Sequence, residues 1–194
     1  MSDPASFRDP TNWSDSSYEL GVEVGSTDDA RVQAVLSALW SAADVRGCFA
    51  YDGREPHEQE PVPCTVASLA EYGHLRGQVR LPTGQLSVCG CVAIRGGDEG
   101  SDWVDFYVPL GVLDKADIPY GDGRPFFRSA VMDDWLAGIG AEAFGRAPFS
   151  LGVIGWNVSG CADSATLAGR LPERRDIGYL LPRAGVLHYG AANT

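Results

Sequence analysis

The chain has 194 residues, 44% hydrophobic and 21% charged, with 26 acidic against 15 basic side chains and a formal net charge of −11. This is the balance of a globular chain long enough for one good-sized core, and its acidity repels phosphate backbones, so nucleic acid is disfavoured as a partner. No apolar run approaches the roughly 18 residues of a membrane span, no basic segment followed by an apolar run opens the chain, and an odd count of five cysteines reads as reduced thiols in a cytoplasm.

Residues 1–17 are polar, with two Asp-Pro steps, and read as a flexible N-terminal arm able to set Phe7 or Trp13 against the body. Residues 18–194 read as a single domain. Tyr18 to Val24 alternates, with Tyr18, Leu20, Val22 and Val24 on one face of a strand and Glu19, Gly21 and Glu23 on the other. Ser26 or Thr27 is placed to cap a helix over about 28–43, whose Val32, Val35, Leu36, Leu39 and Ala43 follow helical spacing. Residues 47–51 make a short second strand. Residues 52–63, with Pro56, Pro61 and Pro63, make an exposed loop. Val66 to Tyr72 reads as a short helix or an edge segment. A hairpin then runs from His74 to Arg95 across Pro82-Thr83-Gly84, followed by a turn over 96–100.

The stretch 102–110 has the clearest alternation in the chain. Val104, Phe106, Val108 and Leu110 share one strand face as ordinary core, and Trp103, Asp105 and Tyr107 share the other. Aspartate is disfavoured inside a strand, so Asp105 is either exposed on an open sheet face or held by a partner. A Pro/Gly-rich loop over 117–125 leads to a second helix over about 129–144, with a stripe of Met132, Trp135, Leu136, Ile139 and Ala143 and a stop at Gly145. Gly138 and Gly140 within it predict close approach of another backbone. A buried-type strand over 149–158, a polar irregular stretch over 161–175 and a last hairpin over 177–189 complete the chain.

These elements predict an α+β fold: a largely antiparallel sheet of seven to nine strands, with two amphipathic helices on one face. Trp103, Asp105 and Tyr107 then lie on the uncovered face. Two stretches, 18–97 and 101–190, echo each other. Both read strand, helix, strand, hairpin, with tips Leu81-Pro82-Thr83-Gly84 and Leu181-Pro182-Arg183-Ala184-Gly185, strand pieces Leu20-Gly21-Val22 and Leu110-Gly111-Val112, and Trp40 and Trp135 on the helices. This order of elements resembles the paired strand–helix–strand–strand units of GyrI-like effector-binding domains over most of the chain, without a shared residue motif. The resemblance implies a cleft between halves that takes a cationic or lipophilic small molecule, or a surface for a protein target.

Chemistry-bearing motifs are sparse. Cys89-Gly90-Cys91 puts two thiols on one strand face, but no second cysteine pair stands at zinc spacing, so small buried core residues are the plain reading. His57 lies among Glu55, Glu58 and Glu60 in a solvated loop, and Asp133-Asp134 sits in the first turn of a helix, where the dipole explains it. There is no Gly-x-Ser-x-Gly, no P-loop and no His-Glu-x-x-His, and no pattern assigns a cofactor or a metal. The leading expectation is a non-enzymatic cytoplasmic binding protein whose acidic, aromatic-bearing surface engages a basic protein, as an inhibitor or immunity protein engages a toxin. The alternative is a small-molecule domain of GyrI-like arrangement, either binding or enzymatic, for a cationic or lipophilic ligand, its cleft lined by Trp103, Tyr107, Trp156 and an acid such as Asp105. A thiol enzyme using Cys89 or Cys91 is the third.

Overall fold

The computed structural model describes residues 3–14, 16–97, 100–119, 121 and 127–194. Strand β1 (Ser17–Ser26) keeps its alternation, with Tyr18, Leu20, Val22 and Val24 fully buried on one face. It pairs antiparallel with β5 (Ser101–Pro109) on one side and with β6 (Leu151–Trp156) on the other. Beyond β5 lie β4 (Leu86–Ile94), β3 (Leu75–Arg80) and the edge strand β2 (Arg46–Phe49). Beyond β6 lie β7 (Gly178–Arg183) and β8 (Val186–Gly190). The eight strands form one antiparallel sheet in the order β2-β3-β4-β5-β1-β6-β7-β8, so β1, from the first of the echoing stretches, sits between two strands of the second.

Two amphipathic helices, α1 (Asp29–Ala42) and α3 (Ala130–Arg146), pack on each other and on one face of this sheet. Between them in sequence, the shorter α2 (Val66–Tyr72) packs beside α1, β3 and β4. The cap of α1 is Asp28, not Ser26 or Thr27. β1 continues to Ser26, and the Asp28 carboxylate accepts from the Ala30 N–H. Helix α3 is capped by Ser129 and runs past Gly145 to Arg146. Gly138 faces open space, whereas a Cβ at Gly140 would meet the Leu180 side chain, so the close approach there is by a side chain of β7. Part of the 117–125 loop and of the 96–100 turn lies outside the described residues.

The face opposite α1 and α3 is not bare. The stretch expected to be polar and irregular contains a single helical turn, α4 (Ser164–Leu167), and folds over one half of that face. Val158, Leu167, Leu171 and Ile177 cover Trp103, Leu151, Val153, Tyr179 and Leu181 in a second, smaller apolar core.

The N-terminal arm is built into the body over its described residues. The Val88 N–H donates to the Pro4 carbonyl (3.0 Å), and Gln78 Nε2 donates to the Ala5 carbonyl (2.8 Å), so the arm completes the ladder where β4 extends beyond β5. Phe7 is 1% exposed, edge-on to the rings of Trp13 and Phe49. Asn12 is fully buried. Its Nδ2 donates to the carbonyls of Asp3 and Ser6, and its Oδ1 accepts from Lys115 Nζ. Asn12→Ala leaves two carbonyls and an ammonium short of a partner, and is expected to cost about 2 kcal/mol in urea unfolding. A loss below the error of that measurement would show that the arm is not held this way.

Candidate functional site

The helix-free face carries three buried carboxylates in a row, because β1 and β5 both alternate and pair in register. Glu19 lies opposite Tyr107, Gly21 opposite Asp105, and Glu23 opposite Trp103. Glycine at position 21 makes room, since a Cβ there would stand 3.1 Å from Asp105 Oδ1. Glu19 Oε1 accepts from the backbone N–H and the hydroxyl of Ser159, both at 2.9 Å. Glu23 Oε2 accepts from the Ser164 N–H at 2.7 Å. The two glutamates thereby tie the covering segment down onto the sheet.

Asp105 is enclosed between them, 3% exposed, and its Oδ1 has no hydrogen-bond partner among the described residues. Burial pushes its carboxyl up to about 7; the Ser159 hydroxyl opposes the rise, and the neighbouring Glu19 charge adds to it.

The half of this face that the covering segment leaves free holds a half-open pocket of about 270 Å³. Glu19 from β1, Val92 from β4 and Tyr107 from β5 form its base, and Trp13 of the arm and Asp52 of the 52–63 loop stand at its sides. The Tyr107 ring lies over Gly90, where an added Cβ would come within 2.4 Å of it, so the glycine between the two cysteines serves the opposite face of the sheet. The Tyr107 hydroxyl and His74 Nδ1 share a hydrogen bond of 3.0 Å. Burial raises the Tyr107 hydroxyl, while partial burial and the Arg76 charge lower His74, so both are neutral near pH 7.

Arg76 is already engaged. It donates to the Ala50 carbonyl (2.7 Å) and to Asp52 (3.1 Å), and its guanidinium lies 5.6 Å from the centre of the Trp13 ring. Arg76 is paired with Asp52, which leaves Glu19 as the other carboxylate among the described lining residues.

The structure separates the residues singled out from the sequence. Tyr107 lines the pocket, and Asp105 lies beside it on the same face. Trp103 is buried at the far end, in the second core. Trp156 is on the helix-covered face, opposite Tyr18, where its Nε1 donates to Ser16 Oγ and its ring meets Phe127 edge-on. A single cleft lined by Trp103, Tyr107 and Trp156 therefore does not exist. Glu19, Arg76 and Asp52 were not singled out, and Trp13 was expected only to pack against the body. For Glu19 a signal was present, in the Glu-Gly-Glu alternation of the first strand.

Cys89 and Cys91 point into the helix-side core, fully buried, and burial pushes both thiols up, which is the reverse of what a nucleophile needs. Among the described residues no group of three or more His, Cys, Asp or Glu side chains is arranged to hold a metal ion, and no helix is long and apolar enough to cross a membrane. No protein-family model matches the chain, and no curated protein or solved structure compared with it is similar.

Proposed function

We propose that the chain is a non-enzymatic, cytoplasmic acidic binding protein that engages a basic protein partner, of the inhibitor or immunity type directed at a basic toxin, and that the Glu19 pocket takes a Lys or Arg head group of that partner. The observation that carries this reading is the state of Glu19. Glu19 is 8% exposed, one of its carboxylate oxygens is anchored by Ser159, and it lines a pocket together with Trp13 and Tyr107. A pre-oriented carboxylate beside aromatic walls is the chemistry that binds ammonium and guanidinium groups.

Size supports a side chain over a larger ligand. Pockets for drug-sized molecules run from roughly 300 to 1,000 Å³, and this one is about 270 Å³ and half open. The net charge of −11 speeds encounter with a basic surface, and that encounter weakens with salt. A free cationic small molecule is the second reading, supported by the same carboxylate and rings.

Glu19→Gln is expected to weaken the complex by about thirtyfold or more, because it unpairs a buried cation on the partner. Tagged wild type and Glu19→Gln are expressed in the native host, cross-linked and purified in parallel. Recovery of one basic protein with wild type and its loss with the variant supports the reading. Equal recovery with both, or monomer alone, contradicts it.

A further inference from the structure

We infer that the ring pair of Tyr51 and Tyr72 is a second docking point for the basic partner, taking an arginine side chain just outside the Glu19 pocket. The inference rests on the reading of that pocket as a cation site and extends the partner's footprint beyond it.

Tyr51 is 53% exposed, at the head of a surface loop, where a side chain is ordinarily mobile. Here its backbone is held from two sides. Gln59 closes the loop behind it: the Tyr51 N–H donates to Gln59 Oε1 (3.2 Å), and Gln59 Nε2 donates to the carbonyls of Tyr51 (2.9 Å) and Arg54 (2.6 Å). Arg76 pins the residues on either side, donating to the Ala50 carbonyl (2.7 Å) and to the Asp52 carboxylate (3.1 Å). Tyr72, the partly exposed last residue of α2, meets the Tyr51 ring with centroids 6.1 Å apart and planes at 66°. The pair is set in place before a partner arrives, and a tyrosine so fixed anchors a contact at little cost in conformational entropy.

Three observations select an arginine as the occupant. The chain already places a guanidinium on this ring, since Arg54 lies 5.3 Å from the centre of Tyr51. Arg54 has no carboxylate partner among the described residues to hold it there, so a guanidinium fixed by a bound partner displaces it. The charge is complementary. Residues 51–73 carry five carboxylates, Asp52, Glu55, Glu58, Glu60 and Glu71, against one arginine. Arg76 and Arg8 pair with Asp52 and Glu58, and the surplus stays negative, which draws cations and repels anions. The position is continuous with the pocket. Asp52 follows Tyr51 directly, His74 stands two residues after Tyr72, and both line the Glu19 pocket, so the ring pair adjoins its rim. Two rings offer too little apolar area to dock a hydrophobic surface, whereas a guanidinium stacked on a tyrosine needs no more.

The test titrates the full-length protein, followed by nuclear magnetic resonance, with N-acetyl-arginine amide and with capped peptides in which zero to six glycines join two arginines. Each protein's two-arginine affinity is referred to its own single-arginine affinity. In wild type, at one linker length or more, a gain of at least about fivefold is expected, with shifts at Tyr51 and Tyr72 added to those at His74, Val92 and Tyr107. Citrulline in place of the second arginine is expected to remove the gain. Tyr51→Leu, apolar but without a ring, is expected to remove it too, and Tyr51→Phe to keep it. The inference is overturned if no linker length gives a gain, or if the gain survives in Tyr51→Leu or with the citrulline peptide. Absence of shifts at His74, Val92 and Tyr107 with the single arginine overturns the pocket reading instead, and this inference with it.

Discussion

Asp105→Asn is expected to be more stable than wild type at pH 8 by up to roughly 4 kcal/mol, and equal to it near pH 4. The Asp105 carboxyl is raised from 3.8 to about 7, by burial first and by the Glu19 charge beside it, against the Ser159 hydroxyl. An acid whose folded pKa is raised is held protonated by the native state. Between about 4 and 7 the native protein therefore binds a proton that the unfolded chain has released, and wild-type stability falls as pH rises through that window. Below it both states are protonated, and above it the loss is complete.

Asparagine copies the neutral carboxyl in shape and removes that titration. Asp133, also raised by burial, gives both proteins a further fall with rising pH, and His74, lowered, gives both a loss on acidification below its ordinary 6.5; both effects cancel in the difference. Urea unfolding at intervals from pH 4 to 8 measures that difference. Parallel stability curves for the two proteins would show that Asp105 is not held neutral by the fold.

Phe7→Ala is expected to cost about 3–5 kcal/mol, the range for deleting a fully buried aromatic ring. The ring is 1% exposed and packs edge-on between Trp13 and Phe49, while its backbone carbonyl accepts from Trp13 Nε1 at 2.9 Å. Losing it removes the support of Trp13, and with it one wall of the Glu19 pocket. Two readouts separate the consequences. Urea unfolding gives the stability loss, and limited proteolysis detects release of the arm, with cleavage in residues 3–14 preceding cleavage of the body. A loss below about 1 kcal/mol with an uncut arm would mean that the arm contributes little.

Much of the architecture was legible because strand alternation and helix spacing are local. The faces of β1 and β5, the two long helices and both outer hairpins follow from residues within one element. The site was legible only in part, because its decisive contacts are distant in sequence. Glu19 and Ser159 are 140 residues apart, and so are Trp156 and Ser16. Trp156 was grouped with Trp103 and Tyr107 because a strand over 149–158 says nothing of its register. Pairing with Tyr18 puts it on the helix side, and a slip of one residue would have reversed that.

The polar stretch 161–175 carried too few apolar residues to predict a cover. Carboxylates of β1 hold its N-terminal side, Glu19 accepting from the N–H of Ser159 just before it and Glu23 from that of Ser164 within it. The Cys89-Gly90-Cys91 motif drew notice for its thiols, whereas its consequence for the site is the glycine, which leaves space for the Tyr107 ring.

The central claim is that the Glu19 pocket recognises a cation, and a nuclear magnetic resonance titration tests it most directly. Wild type and Glu19→Gln are titrated with N-acetyl-arginine amide and with its neutral isostere, N-acetyl-citrulline amide. Saturable shifts at His74, Val92 and Tyr107 are predicted for wild type with the arginine probe alone, and none for the variant. Equal shifts with the citrulline probe, or arginine binding that survives Glu19→Gln, would contradict it.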